Sequence, residues 1–87
     1  MYYYTYVLQS DKDGKWYTGF TNNLRKRFKQ HNMGMSVSTK GRGPFKLIYY
    51  EACMNLQDAG QREIYLKSGT GKKYIKMRLK RFLSHTG

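Results

Sequence analysis

Two tyrosine-rich stretches separated by Asp11-Lys12-Asp13-Gly14 restrict how this chain can fold more than any other feature. Residues 2–9 carry Tyr, Thr and Val, and Lys15 to Phe20 carries Trp, Tyr, Thr and Phe, the aromatic and β-branched composition of strands. Turn-forming residues ending in glycine lie between them, which predicts an antiparallel hairpin. If Ser10 faces Lys15 across that loop, partner numbers sum to 25, and Tyr17 falls opposite Leu8 and diagonal to Tyr6. The two tyrosines then share one sheet face. A slip of one residue would part them, because side chains alternate with a period of two.

After the hairpin, Thr21-Asn22-Asn23 supplies N-cap candidates for a helix over Leu24 to Asn32 that Gly34 stops. Leu24, Phe28 and His31 recur at helical spacing, and Arg27 sits one turn before His31. Residues 33–43 contain Gly34, Gly41 and Gly43 among hydroxyl side chains and read as a flexible loop. Pro44 then leads into a third strand, Phe45 to Ala52. Asn55 caps a second helix, Leu56 to Lys67, which Ser68-Gly69-Thr70-Gly71 ends. A last helix runs from Lys72 to Leu83, with Ile75, Leu79 and Phe82 as its apolar stripe. The order β-β-α-β-α-α predicts an α/β chain of the α+β kind, a small antiparallel three-stranded sheet flanked by helices. Its 87 residues are expected to form one domain, residues 1–87, with a thin core to which nine tyrosines and four phenylalanines contribute area.

Charge narrows the function. Seventeen Lys and Arg against five Asp and Glu give a formal net charge of +12. Such an excess repels itself in the folded state and suits a polyanionic partner, whose condensed counterions it displaces. An anionic membrane would instead require a basic amphipathic segment with bulky apolar residues to spare, whereas here the core needs them. Nucleic acid is therefore the expected partner, and no membrane. No apolar run approaches spanning length, and Met1-Tyr2-Tyr3-Tyr4 lacks a signal-peptide pattern. The single Cys53 permits no intramolecular disulfide and offers no paired zinc spacing, which favours a reducing, cytoplasmic setting.

Glu63 is the residue most out of place. Leu56, Ala59 and Leu66 mark an inward face of the second helix, and Glu63 falls on that face, although an unpaired buried carboxylate is costly. It reads either as half of a salt bridge, to Arg27 or Arg62, or as a ligand for a hard divalent ion completed by phosphate oxygens and water. Taken singly, Arg27 reads as part of a solvated basic face, His31 as a hydrogen-bonded structural histidine, and Tyr6 and Tyr17 as packing residues. Ser68-Gly69-Thr70-Gly71-Lys72-Lys73 is not a phosphate-binding P-loop. Leu66 stands where that loop needs glycine, and Lys73 where it needs Ser or Thr. Cys53, with no activating base in view, reads as a small core residue.

Together, these residues resemble the GIY-YIG nuclease domain, and the resemblance covers nearly the whole chain. Tyr4-Thr5-Tyr6 stands at the first motif, without its usual glycine and isoleucine, and Tyr17-Thr18-Gly19 at the second, eleven positions after Tyr6. Arg27 follows ten residues after Tyr17, His31 four later, and Glu63 lies in Gln61-Arg62-Glu63 on the next helix. The stretch from Ser38 to Tyr50 is similar to the small stand-alone bacterial branch, which itself resembles the N-terminal nuclease domain of the UvrC repair protein. Phe20 stands where UvrC-like domains often carry lysine, so one candidate transition-state cation is absent.

The resemblance implies a metal-dependent DNA endonuclease of low sequence specificity or of structure specificity, in DNA repair or recombination. It implies one divalent ion per site, Mg2+ or Mn2+, on Glu63. Arg27 would bind a nonbridging phosphate oxygen and Tyr6 act as general base, Tyr17 or His31 being the alternatives. Thr39, Lys40 and Arg42 on the loop, and Lys72 and Lys73 at the helix junction, are expected phosphate contacts. With no separate recognition domain in view, specificity would come from DNA shape or a partner protein, and the chain would act as a monomer or weak homodimer. The competing reading is a non-catalytic basic nucleic-acid-binding module.

Overall fold

A computed structural model describes residues 1–86, with side chains through Ser84. Three strands, β1 (Tyr3–Ser10), β2 (Trp16–Thr21) and β3 (Phe45–Cys53), form an antiparallel sheet in the order β2-β1-β3. The helices are α1 (Leu24–Asn32), α2 (Leu56–Lys67), α3 (Gly69–Arg78) and α4 (Lys80–Thr86). This is the α+β architecture expected, with one more helix.

The hairpin register is the expected one. Leu8 pairs with Tyr17 and Tyr6 with Gly19. Local chemistry sets it: Ser10 N–H donates to Lys15 O at 2.9 Å, and Gly14 N–H to Ser10 O at 2.9 Å. Gly14 has φ of 72°, which glycine adopts without a Cβ penalty. Lys15 N–H donates to Asp13 Oδ1 at 2.9 Å, which holds that exposed carboxyl below its ordinary pKa.

On the other side of β1 the register changes. Tyr6 pairs with Tyr50 and Val7 with Tyr49, but Leu8 pairs with Leu47, so Ile48 is the extra residue of a β-bulge. Leu47 packs with the Tyr6 side of the sheet, whereas Ile48 and Tyr49 both pack with Val7 on the other.

Two apolar layers result. On one face Tyr6, Leu8 and Phe45 pack with Tyr17, Leu24, Phe28 and Leu47 beneath α1. On the opposite face Val7, Leu66 and Ile75 pack with Trp16, Ile48, Tyr49, Tyr65, Tyr74 and Leu79 beneath α2 and α3. A bidentate pair fastens α2 to β3: Arg62 Nε and Nη2 donate to Glu51 Oε2 and Oε1 at 2.6 and 2.9 Å, and Tyr49 adds its hydroxyl to Oε1 at 3.1 Å. The Arg62 guanidinium also lies 4.9 Å from the Tyr65 ring centroid.

Four local expectations need correction. Leu56 is 52% exposed, in a first turn whose residues 56–58 are all exposed, so the inward face of α2 starts at Ala59. Ser68-Gly69-Thr70-Gly71 does more than end α2. The Ser68 side chain accepts from Gly71 N–H at 3.1 Å and caps α3, which therefore begins at Gly69. A Cβ on Gly71 would overlap Tyr65 O and lie 2.6 Å from Leu66 Cα, so only glycine lets the two helices meet so closely. The last helix is divided at Leu79, leaving Phe82 37% exposed rather than in the core. Cys53 is only partly buried and its thiol donates to Asn55 O at 3.3 Å, so it is a strand-end residue and not core.

Candidate active site

The loop between α1 and β3 is fastened at several points. Asp11 N–H donates to Pro44 O at 2.9 Å, Ser10 Oγ to Arg42 O at 2.7 Å, and Phe45 N–H to Asn32 Oδ1 at 2.7 Å. These ties turn Ser36 and Thr39 inward, and both are buried.

Around them a polar line crosses the apolar layer under α1. Tyr6 Oη lies 2.8 Å from His31 Nε2, and His31 Nδ1 lies 2.7 Å from Thr39 Oγ1. The Tyr17 and His31 ring centroids are 5.0 Å apart, and those of Tyr6 and Tyr17 6.5 Å. Arg27, one turn before His31, donates through Nη1 to Gln30 Oε1 at 3.2 Å and through Nη2 to Ser36 Oγ at 3.4 Å. Two ties on a planar guanidinium with five donors leave hydrogens for a further acceptor.

Gly19 is what admits Tyr6 to this position. A Cβ there would stand 2.6 Å from Tyr6 Oη and 2.8 Å from Tyr6 Cζ. The tyrosine ring occupies the space that a side chain at its cross-strand partner would fill.

Burial sets the electrostatics. It pushes the Tyr6 hydroxyl up to about 12, against the neighbouring Arg27 guanidinium that favours the phenolate, while Tyr17 and Glu63 add to the rise. Burial, and then the Arg27 charge, push His31 down to about 4. Both groups therefore rest neutral at pH 7.

Glu63 belongs to α2, which packs on the opposite face through Leu66, yet its charge still acts on Tyr6. Its ion pair is neither of the two expected. Lys67 Nζ lies 3.6 Å from Glu63 Oε2, one turn along the same helix, while Arg62 is committed to Glu51. A carboxylate held only by this long, exposed lysine keeps coordinating capacity. Among the described residues no three His, Cys, Asp or Glu side chains cluster, so an ion here would draw its other ligands from phosphate and water. That donor set fits a hard divalent cation.

The structure thus gathers Tyr6, Tyr17, Arg27 and His31, with Glu63 within electrostatic range. The expected phosphate contacts take different positions. Thr39 is 0% exposed with its hydroxyl on His31, so it is unavailable to phosphate and instead orients the imidazole. Lys40 is exposed, and Arg42 is partly buried with its guanidinium 6.0 Å from the Phe45 ring centroid. Lys72 and Lys73 are exposed on α3, whose Ile75 packs on the opposite face. Sequence reasoning missed the tie of Thr39 to His31 and those of Ser36 and Gln30 to Arg27. A hydroxyl in a glycine-containing loop gives no signal of where it points.

Comparison with known proteins agrees with this fold. The GIY-YIG catalytic domain model matches residues 2–83. A UPF0213 protein of Clostridium perfringens is 45% identical over 75 residues, which cover 85% of this chain and 80% of that protein. The UPF0213 protein YazA of Bacillus subtilis is 43% identical over 72 residues, 82% of this chain and 72% of its own. The solution NMR structure of a UPF0213 protein from Bacillus halodurans superposes with a TM-score of 0.55 at 36% identity, covering 92% of this chain and 86% of that one.

Proposed function

The chain belongs to the GIY-YIG catalytic domain family, and from that premise we propose that it is a divalent-metal-dependent DNA endonuclease. The observation that carries this reading is the 2.8 Å contact between Tyr6 Oη and His31 Nε2, under the charges of Arg27 and Glu63. Hydrolysis of a phosphodiester needs an activated water, neutralisation of the charge gathering on phosphorus, and relief of the leaving oxygen.

Tyr6 is the general base, with His31 as its proton acceptor. In the tautomer this mechanism requires, Nδ1–H of His31 donates to Thr39 Oγ1 and Nε2 is bare to accept the Tyr6 proton. As water attacks, it passes one proton to Tyr6 Oη while Tyr6 passes its own to Nε2. The hydroxide equivalent forms the new P–O bond, the bond to the 3′ oxygen breaks, and that oxygen takes a proton from solvent. Arg27 binds a nonbridging oxygen with the donors its two protein ties leave unused. Glu63 would hold a Mg2+ or Mn2+ ion, which would supply Lewis-acid stabilisation of the charge developing at the phosphate. Tyr17 keeps the imidazole ring in place by packing.

The exposed lysines and arginines meet phosphates, which carry no base sequence. Specificity is accordingly low or set by DNA structure, which suits repair or recombination intermediates. The test is cleavage of single-stranded, duplex, flap and branched DNA with and without Mg2+ or Mn2+. Tyr6→Phe, Arg27→Ala and Glu63→Ala are expected to lose at least about 100-fold in rate while remaining folded. Full activity in Glu63→Ala would remove the metal assignment. Tight binding with no cleavage under any metal would favour a non-catalytic DNA-binding module.

A further inference from the structure

Beside α1, on the side away from Arg27, the sheet opens into a cleft of about 470 Å³ lined in part by Tyr4, Tyr50, Leu24, Phe28, Leu47 and Arg25. The bulge at Ile48 creates it. Without that extra residue, Leu47 and Tyr50, three positions apart, would point to opposite faces; with it both reach the Tyr6 side. The Tyr4 and Tyr50 rings meet edge to face, with centroids 6.1 Å apart and planes at 61°. Tyr50 is 54% exposed, an unusual place to leave an aromatic surface unless something covers it.

Helical geometry connects this cleft to the catalytic side chains. Phe28 and His31 mark the face of α1 that meets the sheet, and Asn32 ties to Phe45 on the β3 side. At 100° per residue, Arg27 therefore flanks the β2 side and Arg25 the β3 side, with Lys26 and Lys29 on the outward ridge between them. Arg25, Lys26 and Lys29 are all exposed, and the first turn of α1 contains no acidic residue. None of the described side chains lining the cleft is acidic. A chain of phosphates leaving Arg27 thus meets a continuous basic ridge, and on its far side a set of aromatic faces.

We propose that the Tyr4–Tyr50 cleft is a nucleobase-stacking subsite that holds one unpaired base of the DNA strand being cut, its backbone crossing the Arg25–Lys26–Lys29 ridge of α1. The width of a helix, ~10–12 Å, places that base a few nucleotides from the scissile phosphate. A base in a duplex cannot enter, because its faces are stacked on its neighbours. The substrate class this selects is single-stranded DNA, or duplex DNA with a splayed or overhanging strand. The proposal rests on the nuclease reading for the identity of its strand, but stacking is measurable without catalysis.

The experiment uses the full chain in EDTA, where no metal supports cleavage, with a single-stranded oligonucleotide carrying 2-aminopurine and a blunt duplex of the same sequence. Base–aromatic stacking predicts that Tyr50→Ala weakens single-strand binding about 5- to 100-fold. Duplex affinity and the salt slope are expected to stay unchanged, and Tyr50→Phe to restore the single-strand value. Quenching of 2-aminopurine on binding should disappear in Tyr50→Ala. Equal weakening on both substrates, or none on either, overturns the proposal. So does a loss of concentration-dependent self-association in Tyr50→Ala, which would make the cleft an interface with a second copy. Failure of the nuclease reading would look different: no cleavage with any metal, with single-strand binding and its dependence on Tyr50 intact.

Discussion

Tyr6 and Gly19 are cross-strand partners in which the tyrosine ring lies over the glycine, so close that a Cβ would stand 2.6 Å from the Tyr6 hydroxyl oxygen. The contact couples the edge strand to the chemistry. Gly19→Ala is expected to displace the phenol from His31 and to cost about 1–3 kcal/mol of stability through overpacking. Denaturant unfolding and cleavage rate should both fall. Wild-type values in both would show that the ring does not depend on this space.

Thr39 tests whether the loop positions the imidazole or touches DNA. Thr39→Val removes the hydroxyl partner of His31 Nδ1 and should lower the cleavage rate about 10-fold or more, whereas Thr39→Ser should retain most of it. Because Thr39 is fully buried, the salt dependence of DNA binding should not change in Thr39→Val. Lys40→Ala should instead reduce the salt slope by about one if Lys40 binds a phosphate. A reduced slope in Thr39→Val would return Thr39 to the DNA surface.

His31 links stability to pH. Its pKa falls from 6.5 to about 4 on folding, chiefly by burial, so the unfolded chain binds more protons between those values. Stability should therefore rise with pH across that window, by up to about 3 kcal/mol from this group. Acidic groups such as Glu51 contribute in the same direction at the lower end. Thermal unfolding from pH 4 to 7 should show a shallower slope in His31→Gln, and an unchanged slope would mean that the imidazole is not buried neutral.

The Glu51–Arg62 pair should be a structural fastening. The Arg62 guanidinium beside Glu51 holds its carboxyl below the ordinary carboxylate range, so the stabilisation is present at neutral pH and disappears as pH falls through that lowered value. Both partners are partly exposed, so Arg62→Ala should cost only about 1–2 kcal/mol, including the lost stacking on Tyr65. The difference in urea midpoint between wild type and variant should shrink on acidification. A difference that persists at low pH would assign it to packing alone.

How much could be read in advance varied with the range of the interaction responsible. The register of the β1–β2 hairpin follows from four turn residues and strict alternation, so Tyr6 and Tyr17 could be set on one face in advance. Helix α1 runs over the expected Leu24–Asn32, because its Asn23 cap and the reversal at Gly34 are local signals. Leu56 was misplaced because helical periodicity cannot report how far a sheet extends beneath a helix. The split at Leu79 escaped because the apolar stripe continues through it.

By itself the sequence determined the pairing of β1 with β2, the placing of Arg27 and His31 one turn apart, the anomaly of Glu63 and the positive charge. Each follows from neighbours in the chain or from a sum over it. Only the tertiary structure decided that Thr39 turns inward to His31, that Gly19 makes room for Tyr6, and that the bulge at Ile48 brings Leu47 and Tyr50 onto one face. These arise where separate segments compete for the same volume, and the outcome depends on which surfaces meet. Tyr6 and Gly19 show both: the hairpin register sets them across from each other, and close packing makes that glycine a requirement.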